Sequence, residues 1–437
     1  LSHYTYDREV KLGEIQADYR GKTPYKPPVT AGPEASDDQQ FIDKLLNGAC
    51  PTTFTRGPAG NLHVIRTWDR YELDGIHELP NVHAIFRPCG VTLAPISITV
   101  RGRRGNAKQA HAALEDGHTS RPGDPDWAQV KHQFECVNYM YTQVANHLAR
   151  GHFNAEQYAL ATYRNFRRSP LRKLLTPHLK EVMIINVEGE RAVFGPDGLI
   201  TKNGALTEHS LVEAICDSAS CVDWFGWSPR TPIGPGHRYA HIANLVWDAL
   251  TEHVDAFFTA NLQGILEHWH EVQGFSDDLV AHSVPYQPPP LADGHTPYDA
   301  CEVAESDAPR ATVDGKLRVV TPIVQAGAAQ AQDLENLAQA CRYAIFHATF
   351  FHSWVNDTSD ALEASYSQYN PVDRSTPREL TNHISLNLTL SQTRYGLIMR
   401  NEDADIPESL VKALRDRAEA FADHHYDVRQ IRSRINI

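Results

Sequence analysis

A single periodic segment constrains this chain more than any other part of it. From Trp127 onward, Val130, Phe134, Val137, Tyr141, Val144 and Leu148 recur every three or four residues, the spacing that lays one apolar stripe along a helix. Asp124 before Pro125 predicts the start, and Gly151 would ordinarily mark a stop. Two histidines, His147 and His152, stand at the end of this stripe, five residues apart. On a regular α-helix a step of five turns the side chain by about 140°, so the two rings would point apart. A π-type turn, a distortion that tends to occur at functional sites, would bring them together. The helix would then have to run on through Gly151 to Phe166. The same spacing is also open to one core or capping histidine and one surface histidine.

Leu334, Leu337, Cys341, Ile345 and Ala348 draw a second stripe, and His352 and Asn356 fall where it would continue. A four-residue step keeps both on one helix face. Polar groups in such places cost desolvation unless something binds them, and a buried hydrogen-bonded pair would satisfy them as well as an external ligand would. His347, five before His352, points off the stripe and reads as packing. With a carboxylate at the final Ile437, these residues would offer five nitrogen or oxygen donors and no thiolate. Such a set suits iron or manganese with one coordination position open.

At 437 residues with 41% apolar and 22% charged side chains, the chain can bury a substantial core. Its net charge of −13 argues against nucleic acid and anionic membrane surfaces as partners. No apolar run approaches the length of a transmembrane helix, and no signal peptide is visible. The seven cysteines are odd in number and scattered, and Cys216 and Cys221 lack the spacing of a zinc knuckle. They read as reduced core residues of a cytoplasmic protein.

Long helices are predicted at 124–168, 208–216, 238–273, 328–358 and 407–424, with a short one at Phe41–Gly48 and a further buried helix within Arg378–Met399. The strand signals lie in 53–103, at Leu62–Thr67, His83–Arg87 and Ile96–Val100. Residues 1–37 read as an extended N-terminal arm, and the Pro-, Asp- and Gly-rich stretch 285–322 as a surface excursion. No internal repeat is evident, and 1–437 reads as one domain.

The stretch from Tyr141 to Asn186 resembles the metal-binding core of lipoxygenases. That family's pattern has a glutamine, a histidine, four residues and a second histidine, then a glutamate, an Ala-Thr-x-Arg run and a Lys-Leu-Leu-x-Pro-His segment ending in Ile-Asn. Here Gln143, His147, His152, Glu156, Ala161-Thr162, Arg164, Lys173-Leu174-Leu175, Pro177-His178 and Ile185-Asn186 occupy those places. Asp38-Gln39-Gln40-Phe41, Leu46-Asn47-Gly48 and Leu93-Ala94-Pro95-Ile96 extend the likeness upstream, and His352-Ser353-Trp354-Val355-Asn356 and the closing Ile435-Asn436-Ile437 extend it downstream. The resemblance implies a mostly α fold: a lipoxygenase-like helical catalytic domain with a small β portion near the N-terminus. The ligand helix begins only 124 residues in, so a minimal bacterial form with no N-terminal β-barrel is expected.

It also implies a non-haem iron site, with manganese as the alternative, whose ligands are His147, His152, His352, Asn356 and the carboxylate of Ile437. The implied reaction is dioxygenation of a polyunsaturated fatty acid to a hydroperoxide by a monomeric enzyme, through hydrogen abstraction from a bis-allylic CH2 by a metal(III)-hydroxide. Gln143 and Ser359 become candidates for the groups that support the ligands, and Ser359 departs from the family's usual glutamine. Leu148, Ile185, Gly189, Val193, Ile200 and Leu390 stand where the family lines its fatty-acid channel. Leu148 replaces a bulky aromatic of some plant members and widens that channel. A glycine at the Gly189 position tends to accompany R products in the family; a helix-ending role for it is the other reading. Arg164, Arg167, Arg168, Arg172 and Lys173 form a basic cluster, solvated or structural for most of its members, with a role in meeting the substrate carboxylate open to one of them. Two other functions stay open: the same fold and metal acting as a hydroperoxide isomerase or as an oxygenase of a non-lipid metabolite, and a non-catalytic helical scaffold.

Overall fold

The protein is described from a computed structural model. It covers residues 37–51, 54–57, 60–75, 78–102, 108, 116–196, 198, 200–201, 204–219, 222, 224–282, 312–313, 316–317, 321–358, 397–400 and 406–435. The expected arm at 1–37, most of the excursion at 285–322 and most of the helix within Arg378–Met399 lie outside these residues. So do Ser359, Leu390 and Ile437. Within the excursion, Thr312–Val313 and Lys316–Leu317 form an antiparallel pair.

A first helix, α1 (Asp37–Asn47), leads into a five-stranded antiparallel sheet. Its strands are β1 (Thr55–Arg56), β2 (Leu62–Arg66), β3 (Asn81–Pro88), β4 (Leu93–Arg101) and β5 (His118–Ser120), in that spatial order. The three long strands match the predicted ones; β1 and β5 are too short to leave an alternating signal. On β2 and β3, Leu62 pairs with Phe86, Val64 with Ala84 and Arg66 with Val82, and all six are buried. The shared face packs on the helices: Phe41 meets Phe134 edge to face at 5.5 Å and lies 6.1 Å from Phe86.

Arg66 fixes the sheet to the helix that leads to the histidines. Its guanidinium donates to Asn138 Oδ1 from Nε at 3.2 Å and from Nη2 at 3.1 Å, and lies 3.8 Å from the centre of the Tyr141 ring. A cation in a core needs such partners to offset its lost hydration.

The predicted 124–168 helix is one continuous rod in three parts: α2 (Trp127–Tyr141), a π-helix over Thr142–Phe153, and α3 (Asn154–Asn165). It starts three residues later than expected because Asp124 accepts from Arg121 N, closing a turn instead of capping the helix. Beyond it come α4 (Leu171–Leu179), α5 (Val182–Gly189) and α6 (Glu208–Ala219). The predicted 238–273 helix is two, α7 (Arg238–Glu267) and α8 (Trp269–His282). The corner is set from outside. Glu271 accepts the backbone N–H groups of Arg167, Arg168 and Ser169 at 2.8–3.1 Å, a contact no local pattern announces.

The second stripe is α9 (Ala331–Phe346), a π-helical turn over His347–Phe351 and α10 (His352–Asp357). It opens on a capping box in which Gln330 and Asp333 satisfy each other's backbone N–H groups. The predicted 407–424 helix divides into α11 (Glu408–Arg415) and α12 (Ala418–Asp423). Among the described cysteines none is disulfide-bonded; Cys50, Cys136 and Cys341 are buried as expected, but Cys89 is exposed and Cys216 half-buried. Cys89 lies at the β3–β4 turn, where it bonds Thr92. No described helix is long and apolar enough to cross a membrane.

Candidate metal centre

The π-helix resolves the five-residue spacing. In an i→i+5 backbone, residues five apart come near one another, and His147 and His152 are brought with their Nε2 atoms 3.2 Å apart. Gly151 sits inside this turn without ending it, and a Cβ placed there would touch His352 at 3.4 Å. From the second stripe, His352 brings its Nε2 to 3.2 Å from that of His152. The side-chain amide of Asn356 lies 3.4 Å from His352 Nε2. All four side chains are buried, and the three histidines can each offer a ligand atom within 4.8 Å of the others.

Hydrogen bonds fix which way two of the imidazoles face. Asn186 donates from Nδ2 to Glu156 Oε2 at 2.7 Å and to the His152 carbonyl at 3.3 Å, so its Oδ1 is an acceptor. His152 Nδ1, 2.8 Å from that oxygen, must therefore carry the proton. Gln143 Oε1 lies 3.2 Å from His147 Nδ1, placed to accept its N–H. A neutral ring with its proton on Nδ1 has a bare lone pair on Nε2. Two lone pairs facing each other at 3.2 Å repel unless a cation lies between or beside them. Two nitrogens bound at about 2.1 Å and at right angles to one another would lie about 3.0 Å apart. Asn356 Oδ1 is buried and has no hydrogen-bond partner among the described residues, and an amide can present that oxygen to a metal. The donor set thus fits a divalent or trivalent cation with nitrogen and oxygen ligands.

Two other buried histidines each bond a backbone carbonyl. His178 donates to the Ser433 carbonyl at 2.8 Å, and burial lowers its pKa to about 4. His347 bonds the Tyr343 carbonyl at 2.9 Å and packs 4.6 Å from the Trp227 ring, as its packing role requires; burial first, and the nearby Arg150 second, hold its pKa well below the usual value.

Of the expected channel residues, Ile185 and Gly189 share α5 with Asn186, which touches His152 directly. Val193 follows in the next turn, where Phe194 packs 5.7 Å from Phe153 of the ligand rod. Ile185 and Val193 are half-buried, whereas Leu148 and Ile200 are in the main core. Gly189 is half-buried with an ordinary right-handed helical backbone (φ −62°). An added Cβ would have no heavy atom within 4 Å apart from its local chain neighbours. Its backbone does not require glycine, although α5 ends there and the chain runs on into a π turn. In the basic cluster, Arg164 pairs with Asp278 at 3.2 Å and Arg172 donates to the Phe166 carbonyl, both structural roles; Arg167, Arg168 and Lys173 are exposed.

Asn186 and Glu156 appear in the sequence only as parts of a motif, and nothing local gives their roles. Comparison with known proteins accounts for the arrangement. The lipoxygenase family model matches residues 84–217. The whole arrangement is similar to that of a 9R-lipoxygenase from Cyanothece, with a TM-score of 0.87 and 36% identity over 98% of this chain and 68% of that one. The chain belongs to the lipoxygenase family. It is 25% identical to a linolenate 9R-lipoxygenase of Nostoc over 84% of its own length and 43% of the relative's, so it spans less than half of that protein. A coral 8R-lipoxygenase structure shares the fold, with a TM-score of 0.69 at 16% identity, over 100% of this chain and 71% of that one.

Proposed function

We propose that this lipoxygenase-family chain binds one iron or manganese ion through His147, His152, His352 and Asn356 and inserts dioxygen into a polyunsaturated fatty acid. The observation that carries the reading is the convergence of the buried His147, His152 and His352 Nε2 atoms, with Gln143 and Asn186 amide oxygens on the Nδ1 atoms of the first two. A transition metal bound there supplies the one-electron chemistry for taking a hydrogen atom from an activated CH2 and giving it back. The protein's own part is positioning. Asn186 and Gln143 keep both Nδ1 protons in place, so each ring offers its Nε2. Gln143 Nε2 is buried and has no partner among the described residues, which leaves a donor for a group brought in with the substrate.

The balance of the reaction is simple: fatty acid plus dioxygen gives the hydroperoxide, with no other reductant. Gly189, one helical turn from Asn186 and facing open space, favours an R product by its likeness to the glycine that tends to accompany R products in the family. The relative named linolenate 9R-lipoxygenase makes linolenate the first substrate to try, with linoleate beside it. The test combines elemental analysis with conjugated-diene absorbance on these acids and chiral chromatography of the product. About one metal per chain and R-hydroperoxide are expected. A well-folded chain with stoichiometric metal and no oxygen uptake on any polyunsaturated acid would overturn the substrate class.

A further inference from the structure

The last turn of α10 is held by a residue far along the chain. Arg432 has 0% of its side chain exposed and Asp357 only 2%, and their ion pair closes at 2.8 Å. The same guanidinium donates to the Ser353 carbonyl at 3.3 Å, and the Arg432 backbone N–H donates to Ser353 Oγ at 2.9 Å. Ser353 and Asp357 are one helical turn apart, and each directly follows a proposed ligand, His352 and Asn356. Arg432 is itself held from the other side, since Ser433 accepts from His178 and Arg434 pairs with Glu181 at 2.9 Å.

A buried ion pair is a weak device for stability, because losing hydration offsets most of its attraction; its better-attested use is to fix a geometry. Here the geometry is that of the end of a rod that runs from α9 through the π turn and stops at Asp357. A cation at that end opposes the helix dipole.

We propose that Arg432 is a positioning residue for the Asn356 ligand. By stapling Ser353 to Asp357 it keeps the last turn of α10 wound, and with it the amide at the metal. The proposal rests on the metal-centre reading above. It concerns only the amide arm: His147 and His152 are held by Gln143 and Asn186.

The test is a thermodynamic cycle read as metal affinity. Fe(II) and Mn(II) dissociation constants would be measured by chelator competition on the full chain, alongside melting of each metal-free protein. Arg432→Met/Asp357→Leu removes both charges, so neither is left buried alone. We expect it to weaken metal binding roughly 10- to 100-fold, the usual effect of losing a ligand's support, and Asn356→Ala to do the same. The triple variant should bind no more weakly than Asn356→Ala alone, because residues acting through one another are not additive. Arg432→Lys keeps a cation beside Asp357 but lacks the second prong for Ser353. It should show a smaller loss, and that loss should also vanish in the Asn356→Ala background, which gives the cycle a second arm should the double variant fold poorly. Unchanged affinity in Arg432→Met/Asp357→Leu, or losses that multiply in the triple variant, would overturn the proposal. If the unaltered chain binds no metal, the metal-centre reading fails, and this proposal with it.

Discussion

His147 and His152 are five residues apart, and so are His347 and His352, yet only the first pair converges. Both members of the first pair lie inside a twelve-residue π-helix, and each has a side-chain amide oxygen on its Nδ1. In the second pair the π turn ends at Phe351, and His347 spends its Nδ1 on the carbonyl of Tyr343 in its own helix, with its ring among Trp227, Tyr343 and Phe351. Spacing makes a meeting geometrically available. In the first pair, a side-chain acceptor for each Nδ1–H leaves Nε2 to face the centre.

The sharpest way to break this comparison is to remove one member of each kind. His352→Ala or His152→Ala should lower metal affinity by more than about 100-fold, beyond the loss of a supporting residue, while His347→Phe should keep its metal. Elemental analysis reads both, and an empty site in a well-folded His347→Phe protein would mean that the two pairs do not differ in kind. Next in size is Asn186→Ala. With no acceptor on Nδ1, the His152 ring is free to choose the other tautomer, and affinity should fall about 10-fold or more. Retention of full affinity would show that the rod alone aims the ring.

The packing histidines make their own prediction, in acid. Burial lowers the pKa of His178 to about 4, of His237 to about 3 and of His253 to about 4. Folded, each stays neutral down to that value; unfolded, each takes a proton from about pH 6.5 downward. The unfolded state therefore binds more protons in this window. Stability is complete above about pH 6.5 and is lost as pH falls towards 4, by up to about 1.4 kcal/mol per pH unit for each histidine. Urea midpoints at pH 7.5 and 5 would show it, and His253→Asn should flatten the slope. Equal midpoints at the two pH values would count against neutral burial of these rings.

The smallest energetic effect is expected at Gly189. Alanine there meets open space on a helical backbone, so stability should change by no more than about 1 kcal/mol, and in alanine's favour. The product should nevertheless shift from R towards S. An unaltered product profile would mean that the space beside Gly189 does not admit oxygen.

The rod from Trp127 to Asn165 was legible because its signals are local: apolar residues every three or four positions, and two histidines at a spacing that a π turn would bring together. The three long strands were legible from alternation for the same reason. The corner at His268 was not, since Glu271 makes it by capping a loop about a hundred residues earlier in the chain. The kind of donor at the centre, nitrogen and oxygen without thiolate, was written in residue types at two spacings. Their protonation was not. It depends on Asn186, itself oriented by Glu156, and the wound end of α10 depends on Arg432. Periodicity reports neighbours within a turn or two, whereas a hydrogen bond that selects a tautomer needs only nearness in space. By itself, then, the sequence determined the helices and the ligand types, and only the tertiary structure decided which imidazole nitrogens face the centre.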